Sequence, residues 1–246
     1  MLFRRVRKHV KAHDWFAVGV DFVIVVIGVY IGIQVSNWND AARTLSLEDS
    51  YVSRVGDEIE QNIEIMQAEI EFAEQSSRTL RDFIAVMEDP TSSDSDVVES
   101  ANAYLSRGVF FAKFRPVQTT FDELTATGNL DIIQDSVLRL ALIDLHAFYD
   151  NGASTVASNN DWISQLEGNI YLGFDAARYD SRTSTLFEPR TLAESAAYIR
   201  ENKDVLIRHA ALSYWVKDRT LGLLESAIAQ SNAVLDEVSR VQSDNR

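Results

Sequence analysis

The side chains able to carry acid–base or metal chemistry are few and poorly spaced for it. Histidine occurs only at His9, His13, His146 and His209, and the chain has no cysteine. Zinc hydrolysis on a helix needs two histidines four apart with a glutamate between them, and a di-iron bundle needs a Glu-x-x-His pair. Neither spacing occurs, and there is no phosphate-cradling glycine loop and no Gly-x-Ser-x-Gly elbow. His146 has Asp144 and Asp150 for neighbours, but a two-residue step puts Asp144 on another helical face, so a packed or surface histidine is the better reading. Glu58, Glu60, Glu64, Glu69, Glu71 and Glu74 follow no ligand pattern and read as a solvated face. Arg115, beside Pro116 and among Phe110, Phe111 and Phe114, is the one cation in an apolar setting; it is a candidate contact for an anion or a partner, or a tie to a nearby carboxylate. Trp162, Tyr171, Phe174, Tyr214 and Trp215 are candidates for a pocket lining, with core packing the simpler reading. The expectation is no catalytic residue, no metal, no cofactor and no enzyme.

With chemistry so thin, the elements that set position carry the argument. Trp15 to Trp38 reads WFAVGVDFVIVVIGVYIGIQVSNW. Its apolar part, Trp15 to Ile33, rises about 28 Å as a helix, close to the ~30 Å hydrocarbon core of a bilayer. Aromatic residues mark both ends, and Arg4, Arg5, Arg7, Lys8 and Lys11 precede the span while Arg43 alone follows closely. That asymmetry predicts a transmembrane helix with a cytoplasmic N-terminus, the basic arm lying against anionic lipid. The apolar run is longer than a signal peptide's, and Asp40 spoils a small-x-small site before Ala42, so an uncleaved anchor is expected.

Inside the span, Asp21 sits where an ionised carboxylate costs up to roughly 3 kcal/mol, so it must be neutral, paired or turned toward protein. Gly28 and Gly32 form a GxxxG spacing that Ser36 extends by a further four residues. Steps of three and four place Ala17, Asp21, Val25, Gly28, Gly32 and Ser36 on one stripe, a candidate face for association with a second copy or with another membrane protein.

The net charge is −14 although the first 38 residues are net positive, so the remainder is strongly acidic. Nucleic acid is therefore excluded as its partner, because phosphate binding needs a basic face. The expected organisation is a cytoplasmic arm over 1–14, a membrane helix over 15–38 and a periplasmic domain over 39–246.

That domain reads as all-α, the membrane helix running into an elongated antiparallel bundle. Ser46 and Asp49 can open a helix whose stripe runs through Val52, Val55, Ile59, Ile63, Met66, Ile70 and Ala73, then Leu80, Ile84 and Met87, ending before Asp89-Pro90. A shorter helix is expected near 97–106, stopped by Gly108. Thr120 and Glu123 suggest a capping box for a short helix, with Gly128 in a left-handed turn after it. A helix opens near Asp135-Ser136 with a break offered by Asn151-Gly152, 179–190 reads as a loop, and Thr191 with Glu194 caps the next helix. A long final helix spans Asp204 to about Val241. The helices, short connections and only three prolines point to a bundle.

IGIQVSNWND at the end of the span, with TTFDELTATGNLDIIQDSVLRLALIDLHAFYD later, resembles a family of bacterial single-pass membrane proteins known as a domain of unknown function. The match rests on Asp21, on Gly28 and Gly32, on Asn37, Trp38 and Asn39, on Phe121 to Leu124 and on Thr127 to Leu130. The resemblance implies a topology and no activity. Together with the acidic domain it leads to an expected inner-membrane structural or interaction protein; the alternative is a ligand-sensing bundle, which with so short an arm would need a membrane partner for output.

Overall fold

The computed structural model describes residues 15–108, 111–173 and 191–244, with side chains described over 19–108, 111–165 and 191–244. The basic arm, the expected loop over 179–190, and the side chains of Ala17, Tyr171 and Phe174 lie outside these ranges.

The protein is all-α. In order come α1 (Trp15–Glu88), α2 (Asp94–Ala103), a π-turn (Tyr104–Gly108), α3 (Thr119–Ala126), a 3-10 turn (Leu130–Ile132), α4 (Ser136–Gly173), α5 (Leu192–Glu201) and α6 (Lys203–Asp244). α1 is one helix of 74 residues, so the helix start expected at Ser46 is absent. No glycine or proline interrupts 38–46, and the Thr44 hydroxyl donates back to the Asp40 carbonyl at 3.0 Å, a helical bond and not a cap. At its other end α1 stops as expected before Pro90, where the Asp89 carboxylate accepts from the Thr91 N–H and hydroxyl. Those bonds hold the Asp89 carboxyl below the usual carboxylate range.

The chain divides into two compact units, Met1–Tyr51 and Val52–Arg246. In the first, Phe22, Ile24, Val25, Val29, Tyr30 and Ile33 are all exposed, and so are the residues between them apart from half-buried Gln34 further on. A helix apolar on every side has no face to offer water. Its most apolar window has a mean hydropathy of 2.0 with none of it buried, which makes this the one described helix long and apolar enough to cross a membrane.

The second unit is built on a 3.5-residue repeat. On α6 one row of buried positions is Leu206, Ala210, Ser213, Lys217, Thr220 and Leu224, continuing through Ala227, Ser231, Val234, Val238 and Val241, with His209 and Val216 buried beside it. The steps alternate four and three without a slip. α1 does the same through Val52, Val55, Ile59, Asn62 and Met66, then Ala73, Ser76, Leu80, Phe83 and Met87, with half-buried Glu69 in the gap. On α4 the row is Leu138, Leu142, Leu145, Tyr149, Gly152 and Val156. A repeat shorter than 3.6 keeps a helix's buried seam on its neighbours over many turns, the coiled-coil solution.

This repeat corrects two expectations. The α1 seam takes Asn62 and Phe83 in place of Ile63 and Ile84, which are only half-buried, and on α6 it takes Ser213 and Lys217 while Trp215 is 48% exposed. Nor does Gly152 break α4: a Cβ there would lie 2.7 Å from Phe114 Cε1 and 3.2 Å from Leu223 Cδ2, so the glycine lets the chain between α2 and α3 pack against the helix. Gly152→Ala is expected to destabilise the protein by about 1–2 kcal/mol in urea unfolding, overpacking against a fixed ring outweighing about 1 kcal/mol of helix propensity.

A second packing centre closes one end of the unit, where Leu80, Phe83 and Met87 of α1 meet Val97 and Ala101 of α2, with Ile199 of α5 and Leu206 of α6. Capping boxes open both short helices, Ser93 with Asp96 and Thr191 with Glu194. Arg200 ties them together through Asp94 at 2.5 Å and the Ser92 carbonyl at 3.0 Å.

Candidate functional site

The stripe on the apolar segment has the composition of a contact face and no contact within its unit. Asp21, Gly28, Gly32 and Ser36 are all exposed, and a Cβ at Gly28 or Gly32 would meet nothing within 4 Å. Packing among the described residues therefore does not require either glycine, although each costs a helix about 1 kcal/mol relative to alanine.

Arg115 is exposed and forms no hydrogen bond or ion pair among the described residues. The aromatic setting read around it goes to another cation. Phe111 faces Lys217, whose Nζ lies 4.9 Å from the ring centre while the residue is 1% exposed. A cation over an aromatic face recovers part of what burial removes. The signal for Lys217 was its place, four residues after Ser213 and three before Thr220, on a seam that counting apolar residues alone does not reveal.

The two bundle histidines are packing residues. His146 stacks on Phe121 with ring centres 3.6 Å apart and planes 9° apart, and its Nδ1 pairs with Gln118 Oε1. Gln118 Nε2 donates to Asp150 at 2.9 Å, so Asp150 reaches the histidine through an amide, and Asp144 is exposed. Burial pushes the His146 pKa down to about 4 against the opposing pull of Asp150. His209 Nδ1 pairs with the Tyr104 hydroxyl at 2.5 Å, and burial, helped by nearby Lys217, also takes its pKa to about 4.

Carboxylates and amides do their structural work between α1 and the chain leading into α3. Asn62 donates Nδ2 to the Val117 carbonyl at 2.8 Å and accepts the Val117 N–H at 2.7 Å, standing in for a backbone partner. Glu58 accepts the Thr120 N–H at 2.9 Å and its hydroxyl at 2.7 Å. The capping box expected from Thr120 and Glu123 is thus replaced: α3 begins at Thr119, its N-cap Gln118 makes no side-chain cap bond, and Glu123 joins Arg54 at 2.6 Å. A carboxylate from another helix satisfies the amino end of α3 better than a neutral side chain can. Gly128 has φ 70°, the left-handed turn expected there.

A groove of about 260 Å³ lies between α1 and α6, walled by Glu74, Ser77, Arg78 and Arg81 on one side and by Tyr214, Asp218 and Leu221 on the other. Tyr214, one of the pocket candidates, lines it; exposed Trp162 and Trp215 do not, and Trp215 lies under Arg219 at 5.4 Å. Arg78 meets Glu74 at 3.6 Å and Arg81 lies 5.7 Å from the Tyr214 ring centre. Ser77 is 5% exposed, and its hydroxyl has no hydrogen-bond partner among the described residues.

The whole is an all-α protein with one helix long and apolar enough to cross a membrane. No family profile, curated protein or solved structure matches the chain.

Proposed function

We propose that the protein is a single-pass protein of the bacterial inner membrane, N-terminus in the cytoplasm and bundle in the periplasm, that serves as a structural or interaction protein and not as an enzyme. The observation that carries this is the helix around Gly28, apolar and exposed on every side, with two glycines that no packing among the described residues demands. Lipid covers such a helix, and close approach of a second helix, from another copy or another membrane protein, uses the glycines. The ligand-sensing alternative has its support in the groove between α1 and α6.

Replacing both Gly28 and Gly32 with leucine is expected to lower the mass of the detergent-solubilised protein in light scattering, or to remove a co-purifying membrane partner. An unchanged mass together with an unchanged partner set refutes association through this face. Reporter fusions at Arg246 are expected to be active with a periplasmic enzyme and silent with a cytoplasmic one.

A further inference from the structure

We infer that the exposed side of α1 over residues 57–75 is the contact surface for a second copy of this chain, the two bundles lying side by side with their α1 helices parallel. The parallel sense rests on the anchored reading above, since copies inserted in one membrane with one topology run in the same direction.

α1 carries a second row at the spacing of its buried seam. Gln61, Ile65, Ala68, Phe72 and Gln75 follow one another at steps of four and three, and all of them are exposed. Ile65 is 36% and Phe72 40% exposed, while the other outward residues of this stretch are polar. A repeat shorter than 3.6 keeps such a row against a parallel neighbour, with its apolar members between the two helices.

The two edges of the row carry opposite charge. Along one edge α1 places Asp57, Glu64 and Glu71, one heptad apart. Along the other runs the chain leading into α3, fixed to α1 at three heights. The Ser76 hydroxyl donates to the Arg107 carbonyl at 3.0 Å, Glu69 accepts the Lys113 N–H at 2.8 Å, and Asn62 pairs with Val117. Those bonds set Arg115, Lys113 and Arg107 in that order along α1, beside the turns that follow Asp57, Glu64 and Glu71. The three acids and three cations are all exposed, and their side chains form no hydrogen bond or ion pair among the described residues. In a chain of net charge −14, cations gathered on one edge without a carboxylate point to carboxylates supplied from outside. Parallel helices turn opposite edges toward each other, so the acidic edge of each copy meets the basic edge of its partner. A two-fold axis makes that match twice. Confinement to one membrane raises the effective concentration of the copies, so a contact of modest area suffices.

The chain has no cysteine, so a single one reports on its own position. In membranes holding the full chain, Ala68→Cys is expected to oxidise to a disulfide-linked dimer about fivefold or more faster than Gly222→Cys, an exposed site on α6. Adding Lys113→Glu and Arg115→Glu to Ala68→Cys sets like charges against each other and is expected to slow the reaction about fivefold or more, as is adding Asp57→Lys and Glu64→Lys. With all four reversals in one chain the edges match again, and the rate should return to within about twofold of Ala68→Cys alone. The reversed side chains are exposed, so each variant should keep the parent's helical circular dichroism. Equal rates at 68 and 222 overturn the inference, and so do reversals of one edge without effect or a combination that does not restore the rate. The same samples are scored for recovery in the membrane fraction. A soluble chain overturns the anchor reading and this inference together; an anchored chain without preferential cross-linking at 68 overturns this inference alone.

Discussion

Asn62→Ala is expected to destabilise the bundle by about 2–4 kcal/mol. Asn62 is 1% exposed and pairs with both backbone groups of Val117. Truncation deprives two backbone groups, the Val117 N–H and carbonyl, of a partner at once. Each buried group left unsatisfied costs about 1–3 kcal/mol, reduced at half-buried Val117 because water can replace part of the loss. For a domain of this size the change corresponds to a fall in melting temperature of about 5–15 °C. Hydrogen exchange separates this from a general loss: the Val117 amide should accelerate more than amides in the middle of α6. An Asn62→Ala protein that melts within about 1 °C of the parent would refute the role given to the pair.

The second large effect is acid destabilisation. His146 and His209 each take up a proton near pH 4 in the folded chain and near 6.5 when unfolded. Between those values the unfolded chain binds more protons, so stability is full above about pH 6.5 and falls as pH drops toward 4. The shifts set a ceiling of about 3 kcal/mol for each histidine, and solvent at the edge of each site lowers the expectation to about 2 kcal/mol each. Urea unfolding at a series of pH values should show this slope. His146→Gln combined with His209→Gln should flatten it. Asp96 and Asp135 act lower, since hydrogen bonds from Ser93 and from the Leu138 N–H hold their carboxyls below the ordinary carboxylate range. Their contribution is present above that ordinary range and is lost as pH falls through the lowered values, so it leaves the histidine window clear.

Much of the architecture was legible in the residues because it depends on local chemistry. A stretch of nineteen residues apolar but for Asp21, a proline after Asp89, a Thr-x-x-Glu box at Thr191 and a glycine at the left-handed turn of Gly128 could each be read without knowing its neighbours in space. The class of fold and the presence of an apolar helix near the amino end followed from them.

Only the tertiary structure decided what fills the seams between helices. Counting apolar residues put Ile63 and Trp215 inside, yet Asn62 and Lys217 hold those places. A polar residue enters a core when a distant group completes its bonding, as Val117 does for Asn62 and the Phe111 ring does for Lys217. That partner lies tens of residues away in sequence, so nothing local announces it. The same reason moved the amino end of α3 from its own threonine cap to Glu58, and brought Ser77 and the two arginines beside Tyr214 and Asp218. The residues alone prescribed which segments coil and which one is oily throughout; the folded chain chose which polar groups meet, because burial makes a hydrogen bond compulsory without saying who must supply it.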